Sequence, residues 1–195
     1  MNISLSFCLE LKQMFRLPSI TILILTFSMF FCASCKKKEN VTFQYTYTLN
    51  FSLQGNPTSI NGNLFTYDVW IAVDNNDFLQ TYQDKNINLS EMFLNNAVLK
   101  ILAPGVGTFD DMFQVTLGYG GERFVVPPVT IGEVLSIPPI SLTSLAFVPI
   151  ASDVRTYARR TEVDFLLRFI SSSSSLTSPL SMQAVIIFDV SGKER

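Results

Sequence analysis

The sequence predicts an all-β protein: an antiparallel β-sandwich, immunoglobulin-like in arrangement, with one or two short helical turns and an N-terminal signal segment. Three observations predict it. Apolar and polar residues alternate over 41–53, 65–73, 163–169 and 180–190. That period belongs to strands with one buried and one wet face. Glycine, proline and asparagine clusters break the chain between the runs, as turns do. Several such short strands at close spacing pack as two antiparallel sheets. A small barrel meets the same pattern and stays open as the second architecture.

The first strand is the clearest. Val41, Phe43, Tyr45, Tyr47, Leu49, Phe51 and Leu53 share one side, and Thr42, Gln44, Thr46, Thr48, Asn50 and Ser52 the other. Gly55-Asn56-Pro57 and Asn61-Gly62-Asn63 then turn the chain. Phe65 to Val73 alternates again, until Asp74-Asn75-Asn76-Asp77 ends it. Ser90 to Leu94 reads as one helical turn capped by Ser90. Ala97–Ala103 reads as a buried strand closed by Pro104-Gly105. Phe113, Val115, Leu117 and Tyr119 form the next, joined through Gly120-Gly121 to Arg123–Val126 in a glycine-turn hairpin. Pro127-Pro128, Pro138-Pro139 and Pro149 mark edges or connections, because proline cannot donate to a ladder. Ser152–Arg160 is expected to hold a short helix, with Asp153 and Arg159-Arg160 placed to suit its dipole. The runs at 163–169 and 180–190 are expected to pair as a hairpin whose tip carries Ser171–Ser175.

Composition narrows the function. The chain has 195 residues, a formal charge of −2 and no histidine. A near-neutral balance argues against nucleic acid, whose partners carry a clustered basic face. Without histidine there is no Ser-His-Asp or Cys-His nucleophile and no histidine-ligated zinc. Cysteine stands at 8, 32 and 35 only, so no disulfide staples the body beyond them. No phosphate-binding glycine motif is present, and no cofactor or metal site is expected.

The first forty residues read as an address. Leu17 to Cys35 carries no charge; Lys12 and Arg16 precede it, and Cys32-Ala33-Ser34-Cys35 ends it. A basic region, a short apolar stretch and small residues at a cut describe a secretory signal. The end of the stretch resembles the lipobox of bacterial lipoproteins, with small residues before an acceptor cysteine. The resemblance implies a diacylated Cys35 and signal peptidase II cleavage between Ser34 and Cys35. Cys32 departs from it, standing where the family usually has leucine. It further implies anchorage in the cell envelope, with Lys36 compatible with the outer membrane, on its periplasmic or surface face. An uncleaved membrane anchor is the rival reading, and Lys36-Lys37-Lys38 favours it, because basic residues stay on the cytoplasmic side. The expected division is 1–34 signal peptide, 35–40 tether, 41–191 sandwich and 192–195 tail. Residues 1–13 are expected to lie upstream of a true start at Met14, which opens a compact basic region.

Candidate site residues in the body are few. Trp70 falls on the even face of its strand beside Asp68, where an outward aromatic would contact a ligand; the competing reading, which the usual burial of tryptophan favours, is that Leu64, Trp70 and Ala72 lie under a loop or another sheet. Glu162 and Asp164 share a strand face, about 7 Å apart, but a solvated face explains them. Asp110-Asp111 in a loop is discounted likewise. Asp74 to Asp77 reads as an Asx-rich turn without an ion, and Arg155, Arg159 and Arg160 as a solvated helix end. The expected function is therefore binding or adhesion toward a glycan or protein ligand by a lipid-anchored, non-catalytic module. A structural or assembly subunit pairing through a sheet edge is the alternative, and a carboxylate-dependent hydrolase ranks last.

Overall fold

A computed structural model describes residues 38–54, 57–102, 107–121, 127–174 and 179–195. Among these described residues ten strands and two short helices follow in order: β1 (Asn40–Leu53), β2 (Thr58–Ser59), β3 (Phe65–Asp74), α1 (Asn76–Asp84), β4 (Ile87–Ile101), β5 (Met112–Gly120), β6 (Val129–Leu135), β7 (Ser144–Ala146), β8 (Val148–Pro149), α2 (Arg155–Ala158), β9 (Glu162–Ser171) and β10 (Leu180–Glu194).

All pairings are antiparallel, and they make two sheets, β1-β10-β4-β7 and β2-β3-β9-β5-β6-β8. The antiparallel β-sandwich that the alternation predicts is what the chain forms. The strand order follows from one nested ribbon. β1 pairs with β10, β3 with β9, β4 with β7, and β5 with β6 at the ribbon's turn. Rolling that ribbon sets β10 beside β4 and β9 beside β5. This is jelly-roll winding, a double-sheet form of the sandwich. Immunoglobulin domains instead place their first two strands side by side.

The core lies between the sheets. The inward residues of β9, Val163, Phe165, Leu167 and Phe169, are buried, as are Met182, Ala184, Ile186, Phe188 and Val190 of β10. Tyr47, Tyr119, Phe165 and Phe188 meet edge-on or tilted, with ring centroids 5.0 to 6.3 Å apart, the geometry that aromatic quadrupoles prefer. Burial holds the hydroxyls of Tyr47 and Tyr119 protonated far above the usual tyrosine range. The Tyr47 hydroxyl donates to Asn75 Oδ1 at 2.5 Å. The Asn75 amide donates to the carbonyls of Ala158 and Arg160, each at 2.8 Å. One buried amide thus ties β1 to the turn that opens β9. The Asx turn is present too, Asp74 Oδ1 accepting the Asn76 N–H at 2.9 Å.

Four expectations need correction. Ser90–Leu94 is not a helical turn but the interior of β4. The ladder with β10 slips twice, leaving Ser90 and Asn95 unpaired as bulges. Each bulge stretches the spacing of buried residues from two to three, Leu89 to Met92 and Leu94 to Ala97, and a spacing of three imitates a helix. Next, β9 and β10 do not form a hairpin: they lie in different sheets, because the rolled ribbon carries the chain across the sandwich. The polar cluster at 74–77 also does more than end a strand, since α1 follows and buries Phe78. Finally, the tail at 192–195 is mostly strand. β10 runs to Glu194, and Arg195 donates to the Ile87 carbonyl at 3.2 Å and to the Tyr82 hydroxyl at 2.9 Å.

The strand that follows β5 and pairs with it is β6; the segment at 123–126 proposed for that role lies outside the described residues. α2 falls within the helix expected at 152–160, and Pro149 sits in the terminal strand of its sheet, as its missing donor requires. Among the described residues no helix is long and apolar enough to cross a membrane.

Candidate functional site

The candidate site is the outward face of the second sheet, where register rather than sequence proximity gathers the side chains. Trp70 of β3 stands opposite Leu166 of β9, Leu166 opposite Gly118 of β5, and Gly118 opposite Thr130 of β6. The next row is Asp68, Arg168, Thr116 and Glu133. Four strands at about 4.8 Å spacing make each row about 14 Å across.

Glycine lets the segment at Pro128 lie close on this face. Gly118 and Gly120 alternate with the buried Leu117 and Tyr119. A Cβ on Gly120 would stand 2.8 Å from Pro128 Cα, and one on Gly118 3.2 Å from Pro128 Cβ. Pro128 therefore packs directly on β5 backbone. With Pro127 it faces Trp70 across an open cleft of about 400 Å³, lined also by Thr116, Thr130, Leu166 and Arg168.

One ion pair fixes the polar end. Arg168 donates from Nε and Nη2 to the two carboxylate oxygens of Asp68, both at 2.8 Å. The Thr66 hydroxyl adds a bond to Asp68 at 3.2 Å. The Arg168 hydrogen bonds hold the Asp68 carboxyl below its usual range, and Asp68 in turn raises Arg168. The pair is bidentate, which fixes the guanidinium plane as well as its charge. An aromatic wall, a proline flank, a planar cation and threonine hydroxyls suit a ligand with one stacking face and several hydroxyl or carbonyl groups.

Trp70 is half-buried on the face that it shares with Asp68, and Pro128 packs on β5 within the same face. Ser34 and Cys35, the expected cleavage and lipidation positions, lie outside the described residues. Glu162 and Asp164 do share a face, but their surroundings differ: Glu162 is exposed and Asp164 buried. Asp110 accepts from the Ser141 N–H at 2.6 Å and its hydroxyl at 3.1 Å, so it holds a loop. The arginine group is not simply a solvated helix end. Arg155 pairs with Asp153 at 3.2 Å and donates to the Ser90 carbonyl, and Arg159 donates to the Leu89 carbonyl at 3.0 Å. These two bind backbone of the bulged end of β4.

Sequence reasoning missed Leu166, Gly118, Pro128 and Arg168 as neighbours of Trp70. A signal existed in part: Leu166 is an apolar residue between the charged Asp164 and Arg168 on one face of its strand, and Gly118 and Gly120 take alternate positions in another.

No protein-family model matches the chain, and no curated protein matches it in sequence. Some solved structures are similar in outline. The decameric BFDV capsid protein is 13% identical with a TM-score of 0.40, covering 79% of this chain and 99% of its own. The Desmodium yellow mottle tymovirus structure is 10% identical with a TM-score of 0.33, covering 82% and 91%. The nora virus structure is 11% identical with a TM-score of 0.36, covering 80% and 61%. Likeness at this level carries nothing about function.

Proposed function

We propose that this chain is a lipid-anchored cell-envelope protein that works by binding, and that the Trp70 cleft takes a glycan. The cleft is the observation that carries the reading. Trp70 offers a stacking wall, Pro127 and Pro128 an apolar flank, and Asp68, Arg168, Thr116 and Thr130 place charged and hydroxyl groups around it. Sugars present one apolar ring face and a rim of hydroxyls, which matches that layout. The Ser34-Cys35 motif supports the anchor, with acyl chains on Cys35 seated in the envelope membrane and residues 36–40 as tether. A single chain holds weakly, so the anchor rests on multiple acylation.

The test uses the full chain in detergent against a panel of envelope and host glycans. We expect binding that Trp70→Ala weakens by about 1–3 kcal/mol, as losing an aromatic anchor does. Binding untouched by that substitution removes the cleft from the reading. Glycosidase turnover that disappears in the Glu162→Gln, Asp164→Asn double variant replaces binding with catalysis. The anchor has its own measurement: Cys35→Ala should abolish incorporation of a fatty-acid probe, and persisting label rejects it.

A further inference from the structure

Among the described residues the two sheets have four edges. β7 has three residues, β8 has two and ends on Pro149, and β2 has two; beyond β2 the outer side of β3 carries the charged Asp68 and Asp74, a further guard of an edge. Short strands and proline are how proteins keep sheet edges from pairing with other chains. The fourth edge is β1, with 14 residues, no charged residue, no proline and an unbroken register against β10. None of those protective devices is present along it.

We propose that β1 is a self-association edge, and that two copies of this chain pair their β1 strands antiparallel about a two-fold axis at Tyr47. The first sheet then continues from one copy into the other. The backbone is oriented for it. The Glu39 carbonyl accepts from the Glu194 N–H at 3.2 Å. In an antiparallel ladder the bonded positions alternate, so odd-numbered residues of β1 turn toward β10. The even-numbered ones, Thr42 to Ser52, turn their N–H and C=O groups outward. Their pairing across the axis forms about a dozen main-chain hydrogen bonds.

A second copy fits this edge because β1 is complementary to itself. About Tyr47, Thr42 meets Ser52, Gln44 meets Asn50 and Thr46 meets Thr48 on the exposed face. On the core side Val41 meets Leu53, Phe43 meets Phe51 and Tyr45 meets Leu49. Polar faces polar and apolar faces apolar, as an isologous interface requires. The absence of charge matters most here, since a two-fold near a charged residue brings like charges together. Phe43, Tyr45 and Phe51 are only partly buried in one copy, and pairing covers more of each.

The experiment measures the mass of the full chain in detergent by sedimentation velocity. Three chains are compared: the natural one, a Thr46→Lys, Thr48→Lys variant and a Thr46→Glu, Thr48→Glu variant. Both positions are exposed, so the substitutions spare the core. We expect a two-copy species for the natural chain and single copies for each variant alone. An equimolar mixture of the variants should regain a two-copy species holding one of each. A single-copy natural chain overturns the proposal. So does a two-copy species in either variant alone, which would place the contact elsewhere, or a mixture that stays single.

Discussion

The second sheet carries two different surfaces on the same strands. Inward, Tyr67, Val115, Leu117, Tyr119, Phe165, Leu167 and Phe169 are buried against the first sheet. Outward, the positions between them hold Asp68, Trp70, Thr116, Gly118, Leu166 and Arg168. The inward residues named are of valine size or larger, because a core at crystal-like density leaves no room for voids. The outward ones range from tryptophan to glycine, and the glycines sit where Pro128 lies on bare backbone. The inward face is filled by its own side chains, whereas the outward face is covered in part by Pro128 and otherwise open at the cleft.

The contrast is strongest between Phe165 and Trp70, two aromatic residues on neighbouring strands of that sheet. Phe165→Ala empties a fully buried site in contact with Tyr47 and Tyr119, and should cost about 3–5 kcal/mol in urea unfolding. Trp70→Ala should cost about 1 kcal/mol or less, because the side chain stands half-exposed at a cleft rather than in the core. Glycan binding should respond in the reverse order, persisting in whatever fraction of Phe165→Ala stays folded. Equal destabilisation by the two substitutions would break the comparison and make Trp70 a second core residue.

The two faces also differ in how far the sequence discloses them. The inward face is legible because alternation is local: Val163, Phe165, Leu167 and Phe169 identify their own side without reference to any other strand. The same rule misleads where the ladder slips, and the bulges at Ser90 and Asn95 turn a fifteen-residue strand into an apparent helical turn and a shorter strand. α1 escapes notice because its apolar residues, Phe78, Leu79 and Tyr82, cover little more than one turn. The outward site is less legible still. Trp70 alone can be suspected from its strand, but its neighbours arrive through pairing partners about a hundred residues away. Asp68 meets Arg168, and Trp70 meets Leu166, only because the ribbon rolls β9 between β3 and β5. Jelly-roll winding is a property of all the strands together, and no single run of residues announces it.

The ion pair at the end of the cleft gives the finest test, because it asks whether the outward face contributes to folding at all. Arg168 holds the Asp68 carboxyl below its ordinary value, whereas the unfolded chain titrates near about 3.9. A lowered folded pKa means that the unfolded state takes up the proton first. The stabilisation is thus complete above the unfolded value and disappears as pH falls through the folded one. Its size is small. The two side chains are 49% and 33% exposed, and water screens exposed pairs to about 0.2–1 kcal/mol. Asp68→Asn keeps the shape and removes the titration. Urea midpoints should therefore separate the two proteins by that amount near neutrality and converge on acidification well below about pH 3.9, where both carry a neutral side chain at position 68. A gap that stays constant with pH would assign Asp68 a packing role at the mouth of the cleft and leave Arg168 as the charge a ligand meets.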